Sequence, residues 1–523
     1  MGQKWHPFRE HLLLKVFSLG TSFLVAFLIL IPFAQASSIK LQVSNCESID
    51  RAPGWNAREN AKKGDSNWNV SAGDKYSGSV SGWFDKVSLS CGSTVGLHLS
   101  GNSRDVTINI YRMGYYDGAG ARLVYSRNIG KVAHASAPII SPAPTLTVST
   151  TWDTTVTIEI NSSFPTGIYE TRFDDGSRPG FAPFIVRDDL LHTPLLLVAS
   201  TMTWQGYNTW GGSNLYRSIN TPSHHPARVV SFDRPYDKDG KSNFILNEEG
   251  IVQAAESAKL DISYASDNDL DTSQTNLLLY KTIIFGGHSE YWSPPMQNGV
   301  LEARNKGINI LFFGGNQAYW RVRMENSGRD LAVWKGDPLD PFRSDPTKST
   351  MRWGTYPNTG NQSSLLGAFF AGFGVSANYK VINGDIWPIV GSGLKTGSLI
   401  SGVVGNEVDT TDKGIAPGVQ TFLTSTVAIN NLSYSVNLTY YTTPSNSGVI
   451  DVSTTGWVCS MTSTCLWPEP PKSTSAAVIK ITQSILRAAA DGPLGVSHPA
   501  KIDIAPRTIM VNVGNAIPPL TQH

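Results

Sequence analysis

The chain has 523 residues, of which 40% are hydrophobic and only 16% charged, a balance that excludes a charge-rich disordered protein. Its 42 Lys and Arg against 41 Asp and Glu leave a net charge of +1 and no electrostatic footprint for nucleic acid. The 48 Gly and 30 Pro point to many turns and short strands rather than a helical bundle. At roughly 100–200 residues per domain, the length suggests two to four domains.

The N-terminus has the layout of an export signal. Lys4, Arg9 and Lys15 precede an apolar run from Val16 to Phe33, and Ala34-Gln35-Ala36 is a small-residue cleavage site. The run is shorter than the ~20 residues a membrane span prefers. Residues 1–36 are therefore expected to be a signal peptide. No later stretch reads as a transmembrane span, and the protein is expected to be exported, whether periplasmic, secreted or on the cell surface. Four cysteines in an exported chain suggest disulfides. Cys46 with Cys91 and Cys459 with Cys465 are the expected pairs, because each pair is close in sequence and the two pairs lie far apart.

Residues 38–187 read as an immunoglobulin-like β-sandwich. Short β-branched segments such as Lys86–Leu89, Val95–Leu99, Val106–Tyr111 and Thr155–Ile160 alternate apolar with polar residues, and Gly, Pro, Asn and Asp separate them. The next block, 190–330, reads as an α/β domain. Leu195–Ser200 is an unbroken apolar run, as expected of a strand buried on both faces. Further strands are predicted at Arg228–Phe232, Leu260–Tyr264, Thr282–Phe285 and Ile308–Phe313. Helices over Glu249–Lys259 and Met296–Lys306 alternate with them, which implies βαβ units and a mostly parallel sheet. Residues 331–475 are expected to be a β-rich insertion or lobe. A helix over 476–498 is expected to return to the α/β domain, followed by a loose Pro-rich tail over 499–523.

Ligands of open α/β sheets bind beyond the carboxyl ends of the strands. Five such ends carry polar and aromatic groups here. They are Thr203–Trp210, Asp233–Tyr236, Ser266–Asp269, Gly286–Trp292 and Gly314–Arg321. The richest is His288-Ser-Glu290-Tyr291, an imidazole, a carboxylate and a phenol within four residues. Each segment also has a plainer reading: Gly314-Gly315 as a tight turn, Trp204 and Tyr207 as lid packing, Asp233-Arg234 as a structural ion pair, Asp267 and Asp269 as a cap. All four cysteines lie outside the α/β block, so a cysteine nucleophile there is excluded. The Gly287–Tyr291 turn lacks the closing glycine of a serine-hydrolase elbow, and neither a P-loop nor G-x-G-x-x-G opens a helix. What remains is metal-assisted or carboxylate/histidine acid–base chemistry, or binding alone. His288, Glu290 and Asn316 are the candidate catalytic groups. Trp204, Tyr207, Asn208, Trp292, Tyr319 and Trp320 are the candidate contacts for a small-molecule or glycan ligand.

The sequence resembles the N,N-dimethylformamidase large (beta) subunit-like family. The resemblance rests on VTINIYRMGYYDGAGARL from Val106, TWQGYN from Thr203, GHSEYWS from Gly287 and GGNQAYW from Gly314. SLLG from Ser364, GNEV from Gly405 and YYTTP from Tyr440 add to it. It implies a β-sandwich followed by a flavodoxin-like, amidotransferase-like core. It further implies hydrolysis of a linear amide with a mononuclear iron, or another transition metal, held by tyrosine phenolates and one glutamate. Tyr291 matches a ligand tyrosine by motif, with Tyr264 or Tyr236 as a second. The glutamate is expected just before a Trp/Arg pair, but Lys348–Trp353 carries no carboxylate, which leaves Glu407 as the substitute. The rival expectation is a non-catalytic surface or cell-wall module that binds glycans through its aromatic rim.

Overall fold

A computed structural model describes residues 46–69, 78–221, 224–237, 245–353, 362–465 and 471–509. The expected signal peptide and the end of the tail lie outside the described residues. The architecture is mixed α/β plus all-β.

The N-terminal part is built from a three-stranded sheet (Ser81–Phe84, Thr94–Ser100, Val156–Glu159) and a five-stranded sheet. The second comprises Ser88–Ser90, Gly180–Arg187, Gly167–Asp174, Arg104–Met113 and Ala121–Val132. The alternation seen in Val106–Tyr111 works as a strand should: Val106, Ile108 and Ile110 are fully buried among Phe84, Val95, Leu97 and Phe184, while Thr107 and Asn109 sit half outside. Both expected disulfides form, Cys46–Cys91 and Cys459–Cys465.

The larger element is a nine-stranded sheet. Its parallel half contains β1 (Leu195–Ala199), β2 (Ile262–Ser266), β3 (Thr282–Phe285), β4 (Asn309–Phe312) and β5 (Gly448–Asp451), in the order β2-β1-β3-β4-β5. Four antiparallel strands continue beyond β5: Leu432–Thr442, Gln420–Ile429, Phe369–Val381 and Leu399–Thr410. The fifth parallel strand therefore comes from within 331–475, and the β-rich stretch prolongs the sheet.

Period-two packing explains why Leu195–Ala199 is uniformly apolar. Leu195, Leu197 and Ala199 face a core that includes Ile251, Ala255, Val478, Ile481 and Ile485. Leu196 and Val198 face the opposite core with Met296, Val300 and Phe285. Helix α1 (Thr201–Tyr207) follows β1, and α2 (Gly250–Ser257) precedes β2. Helix α3 (Pro294–Asn305) links β3 to β4, and the long α4 (Lys472–Asp491) buries Val478, Ile481 and Ile485 on one stripe. α4 begins four residues earlier than the sequence pattern indicates. Each fully buried Ile or Leu contributes about 1.5–3 kcal/mol of transfer free energy.

One predicted strand does not join this sheet. Val229–Ser231 pairs antiparallel with Asp330–Ala332 in a separate three-stranded sheet. A short apolar run cannot by itself distinguish a central strand from a peripheral one. The first part of the tail is tied down: the Val419 N–H donates to the Ile504 carbonyl at 3.0 Å, and Arg507–Ile509 pairs with Gly414–Ala416.

The sandwich and the sheet meet across a buried ionic seam. Arg112 is fully buried and pairs with Glu256 at 2.8 Å. Tyr264 donates to Glu256 at 2.7 Å, Tyr116 donates to Glu59 at 2.9 Å, and Arg122 pairs with Glu59 at 2.6 Å. A guanidinium thus faces each carboxylate, the arrangement that burial of charge requires.

Candidate functional site

The carboxyl ends of β1, β3 and β4 feed three segments into one cluster, and a fourth comes from the strand Leu399–Thr410. Tyr207 ends α1. His288, Glu290 and Tyr291 follow β3, Asn316 follows β4, and Glu407 reaches in from the antiparallel half. Two glycines allow the crowding. A Cβ on Gly206 would stand 2.7 Å from the Tyr291 ring, and one on Gly314 would stand 2.1 Å from the Gly287 carbonyl oxygen. The Gly-Gly turn therefore serves close backbone approach as well as chain reversal.

Glu290 is the hub. Its backbone N–H donates to Thr203 Oγ1 at 3.1 Å. Tyr207 Oη donates to Glu290 Oε2 at 2.9 Å, and Tyr216 Oη donates to Oε1 at 2.6 Å. The two phenol oxygens lie 3.1 Å apart, and Tyr291 Oη donates to Tyr216 Oη at 2.7 Å. His288 Nδ1 donates to the Gly315 carbonyl at 3.0 Å, which turns Nε2 toward the cluster. There Nε2 lies 3.0 Å from Tyr207 Oη, 3.2 Å from Glu290 Oε2 and 3.6 Å from Glu407 Oε1. Asn316 Nδ2 donates to Glu407 Oε2 at 2.7 Å, while its own Oδ1 is buried without a hydrogen-bond partner among the described residues. The Asn316 backbone, at φ 53°, is held by the Asp409 carboxylate, which accepts its N–H at 3.0 Å.

Electrostatics separate the two carboxylates. Burial would raise Glu290, but the His288 hydrogen bond and charge outweigh it and hold the carboxyl below its ordinary range. Burial dominates at Glu407 and raises it. Burial alone would lower His288, yet the charges of Glu407 and Glu290 carry it up to about 9. Burial and the nearby carboxylates raise the phenols of Tyr207, Tyr216 and Tyr291 well above 10. Lys335 lies 3.8 Å over the Tyr216 ring, donates to the Leu215 carbonyl at 3.0 Å, and is pulled down by burial to about 8.

The structure thus gathers His288, Glu290, Tyr291, Asn316, Glu407 and Tyr207. Tyr319 and Trp320 lie at its margin: Tyr319 packs edge-on against Trp320 and Phe370, and Lys335 sits over the Trp320 ring. The expectations for five other residues are corrected. Tyr264 belongs to the seam, where its hydroxyl serves Glu256, because β2 faces the sandwich on that side. Trp204 and Trp292 are 1% and 0% exposed, so neither ring face is open and a sugar-stacking platform does not form from them. Asn208 is buried and donates to Gln205 Oε1 and the Pro235 carbonyl, a structural role. Tyr236 is also outside the cluster; its ring packs at the sandwich side beside Trp204.

Tyr216, Lys335 and Asp409 are additions. Tyr216 sits in a loop nine residues after Tyr207, beyond the residues that immediately follow a strand. The signal available for it was the aromatic density of 204–216.

The family described as N,N-dimethylformamidase beta subunit-like, C-terminal, matches residues 107–471. A comparison with curated proteins gives no match. Among solved structures, a chimeric titin Z1Z2-Z1Z2 tandem functionalized with a GRGDS exogenous peptide from fibronectin is similar over 21% of this chain and 52% of its own, about half its length, at 17% identity. Its TM-score of 0.12 is too low to bear on fold or function.

Proposed function

Because the chain belongs to the N,N-dimethylformamidase beta subunit-like family, we propose that it is an exported hydrolase that cleaves the C–N bond of a small linear amide with the help of a mononuclear iron. The observation that carries this reading is the cluster formed by the Tyr207 and Tyr216 hydroxyls and the two carboxylate oxygens of Glu290, with hydrogen-bonded separations of 2.6–3.1 Å. Among the described residues no group of three or more His, Cys, Asp or Glu side chains could hold a metal ion. A site here therefore depends on phenol oxygens. As phenolates, Tyr207 and Tyr216 would join the Glu290 carboxylate as hard anionic donors, the chemistry that suits a trivalent iron. The donor set fits, and Tyr207, Tyr216 and Glu290 would hold the ion. When bound, the iron would supply Lewis acidity toward the amide carbonyl and toward water.

The protein's own groups divide the remaining work. Glu407, raised by burial, takes a proton from the attacking water at its carboxylate. Asn316 orients that carboxylate through the 2.7 Å hydrogen bond. His288, fixed at Nδ1 by the Gly315 carbonyl, carries a proton at Nε2 for the leaving nitrogen. The water oxygen joins the carbonyl carbon, the C–N bond breaks, and the proton ends on the amine. Tyr319 and Trp320, at the margin of the cluster, would confine the small alkyl groups.

We further propose that the parallel half of the sheet is flavodoxin-like, which the order β2-β1-β3-β4-β5 supports. Export is supported by the two disulfides, and no helix among the described residues is long and apolar enough to cross a membrane. The test is elemental analysis of purified protein together with amine release from a panel of N-alkyl formamides. Stoichiometric iron, and turnover lost on chelation, are expected. Iron-free protein that neither takes up iron nor releases amine would overturn the reading.

A further inference from the structure

The tyrosines that meet on Glu290 are nine residues apart, and the chain between them is irregular. α1 ends at Tyr207, a turn follows at Trp210–Gly212, and Tyr216 comes after a further bend. Such a path leaves carbonyl groups pointing inward, among them those at the C-terminal end of α1. One side chain collects them. Arg234 is fully buried, and its guanidinium spans the whole segment. Nη1 donates to the carbonyls of Trp210 at 3.1 Å and Ser213 at 2.8 Å. Nη2 donates to the carbonyls of Gln205 and Asn208 at 3.3 and 3.1 Å, and Nε to the Gln205 side chain at 3.3 Å.

This is an unusual use of a buried charge. Among the described residues every hydrogen bond of Arg234 goes to an amide oxygen and none to a carboxylate. The neighbouring Asp233, adjacent in sequence, pairs instead with Arg329 at 2.7 Å. Burial pulls the Arg234 guanidinium down to about 10. A lysine has no planar fork and could not reach four carbonyls in four directions. A second tie closes the same loop: Asn214 Nδ2 donates to the Tyr207 carbonyl at 3.0 Å, and Asn214 Oδ1 accepts the Tyr216 N–H at 2.9 Å.

We propose that Arg234 is a positioning residue for the site, a clasp that fixes the separation and aim of the Tyr207 and Tyr216 hydroxyls on Glu290, with Asn214 as its partner. The inference deepens the iron-hydrolase reading and rests on it for its consequence, although the clasp itself is a property of the chain. Arg234 touches no reacting atom; it acts through the two tyrosines.

The test uses the full chain labelled with 3-fluorotyrosine. Its fluorine resonances are assigned by single Tyr→Phe variants and recorded at one fixed pH. In R234K the Tyr207 and Tyr216 resonances are expected to shift and broaden, while those of Tyr264 and Tyr379, buried elsewhere, stay in place. N214A acts on the same tie without touching a buried charge and is expected to move the same two resonances. It stands in if R234K does not fold. In parallel, ferrous ammonium sulfate is added in air. The visible phenolate-to-iron band should fall at least fivefold in the variant relative to wild type. Folded R234K or N214A with unmoved Tyr207 and Tyr216 resonances would overturn the clasp. Shifted resonances in a wild-type background that shows no iron band would instead sink the iron reading and leave the clasp standing.

Discussion

Two buried clusters in this protein are made of nearly the same side chains and differ in what neutralises them. At the seam, Glu59 and Glu256 face Arg112 and Arg122, with Tyr116 and Tyr264 donating to the carboxylates. At the sheet rim, Glu290 and Glu407 face His288, with Tyr207, Tyr216 and Tyr291 around them and Lys335 above a ring. The guanidiniums of the seam stay charged at neutral pH and their fork matches a carboxylate, so the seam is held in one charge state there. Imidazole can gain or lose a proton, and the rim holds more anionic capacity than permanent positive charge. The seam holds two layers together. In the reading proposed above the rim moves protons or accepts a cation, and aromatic and acidic composition alone does not tell the two apart.

The largest expected effect breaks the seam. Arg112→Met leaves Glu256 buried without its charge partner and should cost about 3–5 kcal/mol in urea unfolding. If the loss is below about 1 kcal/mol, the seam is not the lock described. Next comes Glu290→Gln at the rim. It should lower iron affinity by about 100-fold or more, since even partners behind a metal ligand are worth 10–100-fold, while unfolding free energy stays within ~1 kcal/mol of wild type. Isothermal titration with iron and a urea curve on the same preparation check both halves. Equal stability losses in the two variants would erase the contrast.

The sequence carried the framework further than the chemistry. Strands β1, β3 and β4 were legible because they are unbroken apolar runs, and the residues after β3 and β4 did enter one cluster. Val229–Ser231 misled because a short buried segment with two adjacent valines looks the same in a central strand and in a small peripheral sheet. Tyr264 misled for a similar reason. It lies in a strand of the right sheet, but which face a side chain takes depends on the neighbouring layer, here the sandwich. Trp204 and Trp292 are large enough to be ligand platforms or core, and only burial decides. Tyr216 and Lys335 reach the site from loops whose paths follow from tertiary contacts such as the Arg234 clasp, which no local pattern encodes.

pH separates the clusters more gently. Burial would raise Glu59, but Arg112 and Arg122 hold it at about 2, against 4.5 unfolded. Its contribution is therefore present above pH 4.5 and lost as pH falls toward 2. Near the rim, burial raises Glu248 to about 8, opposed by hydrogen bonds from Ser200 and Trp204. Its folded form keeps the proton, so that stability is full below pH 4.5 and lost as pH rises through 8. Glu59→Gln should flatten the acid limb of the stability–pH curve, and Glu248→Gln the alkaline limb, each by up to about 1.4 kcal/mol per pH unit for one proton. Urea midpoints between pH 2.5 and 8.5 give both slopes. A change on the wrong limb in either variant would reverse the assignment.

The smallest effect is the most direct comparison, because it makes the same chemical change in both places. Tyr264→Phe removes one hydroxyl from Glu256, which keeps two contacts from Arg112, one from Asn60 and one from the Tyr115 N–H. The loss should be about 1 kcal/mol, in the ordinary range for a hydrogen bond, with amide turnover and iron content unchanged. Tyr207→Phe removes one hydroxyl from Glu290 and from the reach of His288 and Glu407. It too should cost about 1 kcal/mol or less, since Tyr216 still satisfies Glu290, but it takes away one of the three side chains assigned to the iron. Iron content and turnover should therefore fall in Tyr207→Phe at matched stability. Were Tyr264→Phe to lose iron as well, the seam would belong to the site and the division between lock and proton-bearing rim would have to be redrawn.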